Sequence, residues 1–70
     1  MPIVIAPTNH ELKIVRIHTD DKTKKHLESL GITLNGSITV LSVSGGTVVC
    51  KIKDGRIALD GNLSKKIFVA

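Results

Sequence analysis

Four imidazole or thiol side chains in this sequence carry metal-ligating chemistry: His10, His18, His26 and Cys50. A closed structural zinc site draws its donors from CxxC and closely spaced His/Cys pairs, because short spacing lets one turn present two ligands to one ion. No CxxC pair occurs here, and His18 and His26 stand eight residues apart across an expected helix start. Cys50 alternates with Val48 and Ile52. That is the pattern of a strand's inward face, so Cys50 reads as a small buried hydrophobe, a role free cysteine commonly fills. The histidines read as exposed imidazoles. Spacing gives no metal ligand set and no cofactor site.

Catalytic arrangements are also missing. The chain has no GxSxG elbow, no GxxxxGK[ST] loop and no GxGxxG, and Gly45-Gly46 lacks the downstream Lys-Ser/Thr of a phosphate cradle. A chain this short is expected to lack a substantial pocket, so no enzymatic role is expected.

The basic residues are the remaining candidates. Lys22, Lys24 and Lys25 spread around a helix and read as a solvated face. Lys51 and Lys53 fall on one side of a strand, and Arg56 follows the next turn. These three form a small basic strip able to meet an acidic protein surface. The net charge is +4, from ten Lys/Arg against six Asp/Glu. Strong nucleic-acid affinity needs more phosphate contacts than this strip supplies. Phe68 is the sole aromatic residue, whereas single-strand-binding barrels stack bases on several. No nucleic-acid partner is expected.

These residues must be positioned by a small frame. Seventy residues make one domain, 1–70, burying only about 60% of its unfolded surface. A single cysteine rules out an internal disulfide and suits a reducing cytoplasm. The apolar run Ile3 to Ala6 ends at Pro7 and is too short for a signal core or a membrane span. It is expected to be a mature N-terminal segment of a soluble, cytoplasmic protein with no membrane insertion.

Ile, Val and Thr supply 22 residues, which favours strands. His10 to Ile17 reads as the first strand. Its inward set switches from Leu12 and Ile14 to Val15 and Ile17, and a break in alternation implies a bulge or sharp bend. Thr19 to Gly31 reads as the one helix, with Thr19 or Asp20 as N-cap and Thr23, Leu27 and Leu30 as its apolar stripe. Gly31 fits the left-handed position after the helix, with Leu27 and Ile32 making the hydrophobic contact of a Schellman ending. Ser37 to Val43 is a strand apolar on both faces, hence central. Ser44-Gly45-Gly46 is a turn. Thr47 to Lys53 follows with Val48, Cys50 and Ile52 inward. Asp54-Gly55 marks a tight hairpin turn, Arg56 to Leu59 the return strand, Leu63-Ser64 a helical turn, and Lys66 to Val69 the last strand. A meander of about five strands with one short α-helix is a mainly β chain. Its simplest closure is a small barrel without exposed edges, its helix plugging one end through Leu27 and Leu30.

In their order these pieces resemble the FeoA family, small cytosolic components of bacterial ferrous iron uptake with an SH3-like barrel. Related domains close the C-terminus of iron-dependent DtxR-type repressors. The resemblance covers nearly the whole chain. It rests on the helix-ending step Leu30-Gly31-Ile32 and the turn Thr33-Leu34-Asn35 before a strand. Further on it rests on Arg56-Ile57-Ala58-Leu59, then Leu63-Ser64, then Ile67-Phe68-Val69. Leu34-Asn35 stands where the family usually has Pro-Gly, and Asn35 tolerates the left-handed backbone such a turn needs. Asp60 stands where a basic residue is common, and Ser64 where alanine is. The resemblance implies an accessory or regulatory protein that binds the cytoplasmic, GTP-binding part of the ferrous iron permease FeoB. A monomer is expected, with Lys51, Lys53 and Arg56 as the partner-binding residues. The alternative is a transition-metal-binding or nucleic-acid-associated small barrel related to the repressor domains.

Overall fold

The computed structural model describes residues 1–53 and 55–70. A 3-10 turn (Ile3–Ile5) precedes β1 (Glu11–Ile17), α1 (Asp21–Ser29), β2 (Ser37–Ser44), β3 (Thr47–Ile52) and β4 (Gly55–Leu59). A second 3-10 turn (Leu63–Lys65) then leads into β5 (Ile67–Val69). The strands form one antiparallel sheet in the order β4-β3-β2-β1-β5, with β2 at its centre as its two apolar faces predicted. The sheet curls around its inward aliphatic residues into a small SH3-like barrel. The order is open, with β4 and β5 as its ends.

Two bulges curve the sheet. In β1, Ile14 pairs with Val69 and Arg16 with Phe68, leaving Val15 as the extra residue. The bulge expected from the broken alternation is present, but Val15 is not part of the inward set: it is 47% exposed. An inserted residue resets the pleat, so Ile14 and Ile17 both face the core, three positions apart. Here β1 also changes partner, its first half pairing with β2 and its second with β5. The second bulge lies in β2, where Val40 faces Cys50 and Ser42 faces Val49.

In α1, Asp20 is the N-cap, its carboxylate accepting from Thr23 N–H at 3.0 Å. Hydrogen bonds from Thr23 hold that carboxyl below its ordinary pKa. The helix ends as its sequence predicts. Gly31 N–H donates to Glu28 O at 3.0 Å and Ile32 N–H to Leu27 O at 2.9 Å, with Gly31 at φ 98°. This is the Schellman pair, and Leu27 and Ile32 are both fully buried. Leu30 does not join the plug: it is 41% exposed. It is the last residue before the chain reverses, so the core seat at that end passes to Ile32. Asn35 takes φ 67°, as expected of the turn residue.

The N-terminal segment contributes more than its sequence indicated. Ile3 is fully buried. The Met1 amino group donates to Val69 O at 2.9 Å, and Val69 N–H donates back to Met1 O at 2.8 Å. Pro2 bridges Phe68, so this segment covers the β5 edge. The expected Asp54-Gly55 turn falls partly on Asp54, which lies outside the described residues. Gly55 pairs with Ile52 and belongs to β4.

Candidate protein-docking site

The basic strip is built by pairing across the sheet. Val48, Cys50 and Ile52 of β3 face the core, so Lys51 faces out. Lys51 is directly opposite Arg56 on β4 and opposite Thr39 on β2, and Thr39 is opposite Glu11 on β1. One row, Glu11–Thr39–Lys51–Arg56, thus crosses four strands on one face, and Lys53 is exposed one step beyond β3. Like charges opposite one another on a sheet face destabilise it. Lys51 and Arg56 are such a pair. Their juxtaposition is a cost to folding and a concentration of positive charge available to a partner.

Beside this row the sheet opens. Thr39 and Lys51 are the last residues paired between β2 and β3. Past them, Ser37 and Ile38 pair only with β1, and Ile52 pairs with Gly55 of β4. The two strands diverge, and the gap is a groove of about 450 Å³. This corrects the expectation that so small a barrel lacks a substantial pocket, since ligand clefts run from roughly 300 to 1,000 Å³. Thr33, Ser37 and Thr39 supply hydroxyls to its walls, Lys51 and Lys53 ammonium groups, and Glu11 a carboxylate. Ile38 and Ile52 form an apolar floor. Gly31 and Gly36 complete the lining. A Cβ on Gly31 would stand 3.0 Å from Ile52 Cδ1, so the helix-ending glycine also lets the loop approach this floor. Sequence reasoning found the two lysines and missed the groove. Arg56 is not in its lining but extends its charge along the row.

The metal-ligating candidates are not brought together. Among the described residues, no three His, Cys, Asp or Glu side chains cluster as an ion would require. Cys50 is fully buried mid-strand, and burial pushes its thiol up to about 11. His18 Nδ1 accepts from the Arg16 guanidinium at 3.3 Å, which places a fixed positive charge against it. No described helix is long and apolar enough to cross a membrane.

The chain is a small SH3-like barrel with a charged groove at the open end of its central strands. The sequence matches the FeoA domain across residues 1–70, and the chain belongs to the FeoA family. The fold is similar to the crystal structure of an iron uptake regulatory protein, FeoA, at 23% identity and TM-score 0.83, covering 99% of this chain and 92% of that one. It is similar to iron(II) transport protein A from Clostridium thermocellum at 21% identity and TM-score 0.86, covering 99% and 44%. A manganese-dependent transcriptional repressor shares the fold at 19% identity and TM-score 0.88, covering 100% of this chain and 40% of that one. At these identities the likenesses establish the fold. No curated protein sequence matches the chain.

Proposed function

We propose that this chain is a small cytoplasmic accessory protein of bacterial ferrous iron uptake. It binds the cytoplasmic GTP-binding part of the permease FeoB as a monomer, without a cofactor or enzymatic activity of its own. The observation that carries this reading is the FeoA-domain match over residues 1–70. The docking surface is Lys51, Lys53 and Arg56, where two cations are held opposite each other against the preference of the sheet. Charge complementarity of this kind acts mainly on encounter and partner choice, so binding weakens with salt.

The test is a calorimetric titration of the full chain against the cytoplasmic domain of the cognate permease, in nucleotide-free, GDP and GTP-analogue states. Binding in at least one state is expected, weakened by charge reversal at Lys51 and Arg56. No binding in any state, with normal ferrous uptake in a deletion strain, would overturn the proposal. The transition-metal-binding or nucleic-acid-associated alternative draws its support from the fold shared with the manganese-dependent repressor. Amide shifts at His10, His18 and His26 on anaerobic Fe²⁺ titration, or a salt-dependent complex with DNA, would favour it instead.

A further inference from the structure

The gap between β2 and β3 has the features of a slot for an extended chain, beyond those of a charged surface. Lys13 directs both its N–H and its C=O to Ala70, each at 2.9 Å, on the β5 side. Lys13 and Ser37 are therefore a wide pair, joined by no hydrogen bond of their own, and the alternation of an antiparallel ladder turns Ser37's backbone groups towards β3. The β2–β3 ladder has already ended at Thr39 and Lys51. No backbone partner for Ser37 occurs there among the described residues. An unpaired backbone donor and acceptor at the wall of a groove is a template for a strand from another chain.

The chemistry of the walls selects what that strand carries. Among the described residues, Lys51 and Lys53 face a single lining carboxylate, Glu11, and Arg56 adds a further positive charge beside Lys51. The hydroxyls of Thr33, Ser37 and Thr39 donate well to carboxylates. The floor of Ile38 and Ile52 is apolar. A proline-rich ligand is disfavoured, because such ligands dock on aromatic-lined grooves. Phe68 is the one aromatic residue, and it sits on β5, its ring 5.9 Å from the Arg16 guanidinium.

We infer that the β2–β3 gap receives an extended acidic segment of a protein partner. Its backbone pairs with Ser37, its carboxylates meet Lys51 and Lys53, and its alternate aliphatic side chains rest on Ile38 and Ile52. This rests on the reading that Lys51 and Lys53 meet an acidic protein surface, and holds whichever protein supplies it.

The experiment uses the full chain labelled with ¹⁵N and a capped hexapeptide alternating Glu and Val. A Lys-Val counterpart and free glutamate at equal carboxylate concentration are the controls. Saturable amide shifts are expected at Gly36, Ser37, Ile38, Lys51, Ile52 and Lys53 with the acidic peptide, and with neither control. Affinity falls roughly tenfold or more in Lys51→Glu/Lys53→Glu, and the milder Lys51→Gln/Lys53→Gln weakens it in the same direction. No saturable shift, or shifts confined to Lys22, Lys24, Lys25 or Arg16, overturns the slot. With no peptide binding in the groove, binding of the FeoB domain would still leave the proposed partner standing. Peptide binding in the groove without binding of the FeoB domain supports the slot and overturns that partner.

Discussion

The two ends of the β2–β3 pair are built on opposite principles. At the hairpin end, Ser44 faces Thr47 and the turn is Gly45–Gly46, with φ values of 57° and 83°. Ser64, fully buried, donates its hydroxyl to Gly46 O at 2.7 Å, tying the hairpin to the second 3-10 turn eighteen residues away. Asp60 holds that turn by accepting from Leu63 N–H at 2.8 Å. At the other end the ladder stops short, the strands part, and the groove fills with hydroxyls and ammonium groups. One end closes its polar groups on themselves, and at the other the described polar groups line an open groove. The contrast shows how a thin barrel can hold an open groove: side-chain bonds tie down the hairpin end, while the ladder at the other end stops short.

The largest expected effect tests how the open end is held in shape. Leu27 is the only buried residue of α1, and with Ile32 it anchors the loop that lines the groove. Leu27→Ala removes that anchor and is expected to cost about 2–5 kcal/mol. Urea unfolding measures the loss. The hairpin-end amides of any folded fraction should move less than Gly31, Gly36 and Ser37. Uniform movement at both ends would show that the two ends are one unit.

The second prediction concerns Cys50, midway along β3. Burial raises its thiol from 9.0 to about 11. The native state therefore keeps a proton that the unfolded chain releases above about pH 9. Between about pH 9 and 11 the native state binds more protons than the unfolded state, so stability falls as pH rises. If fully expressed, the loss is roughly 2–3 kcal/mol by pH 11. Cys50→Ala is expected to be less stable at neutral pH and to lack this alkaline slope. Urea midpoints of both proteins from pH 7 to pH 11 check it, and parallel profiles would refute the assignment.

The third breaks the closed end. Ser64→Ala leaves Gly46 O without its donor, at about 1–3 kcal/mol. Denaturation is expected to show the loss while groove binding stays intact. Lost binding would mean that the two ends communicate.

Most of the frame was legible because it depends on local rules. Val48, Cys50 and Ile52 alternate inward as read, Gly31 ends the helix with both Schellman bonds, and the broken alternation of β1 is a true bulge. The errors lie where a residue's fate depends on distant chain. Val15 is apolar but is the residue the bulge ejects. Leu30 continues the helical stripe, yet the reversal at Gly31 gives its seat to Ile32. Nothing in the sequence assigns Ile3 to the core, and it sits there because Met1 and Pro2 pair with β5. The groove was the least visible. Ile38 and Ile52 read as ordinary inward residues, and nothing in their spacing says that their strands part before they pair.

The smallest expected effect is on stability, and it is what separates the two ends most cleanly. Lys51 and Lys53 are exposed, and Lys51 stands opposite Arg56. Lys51→Glu replaces a like-charge pair with an opposite one across β3 and β4, which stabilises a sheet by a few tenths of a kcal/mol. Lys53→Glu is an exposed substitution beyond the strand, normally within about ±0.5 kcal/mol. The double variant should therefore unfold at nearly the wild-type urea concentration, or slightly above it, while losing affinity for an acidic partner. Stability and binding then move in opposite directions. A residue kept for the fold would lower both together, and a variant that lost binding only because it had unfolded would show it in the same denaturation curve.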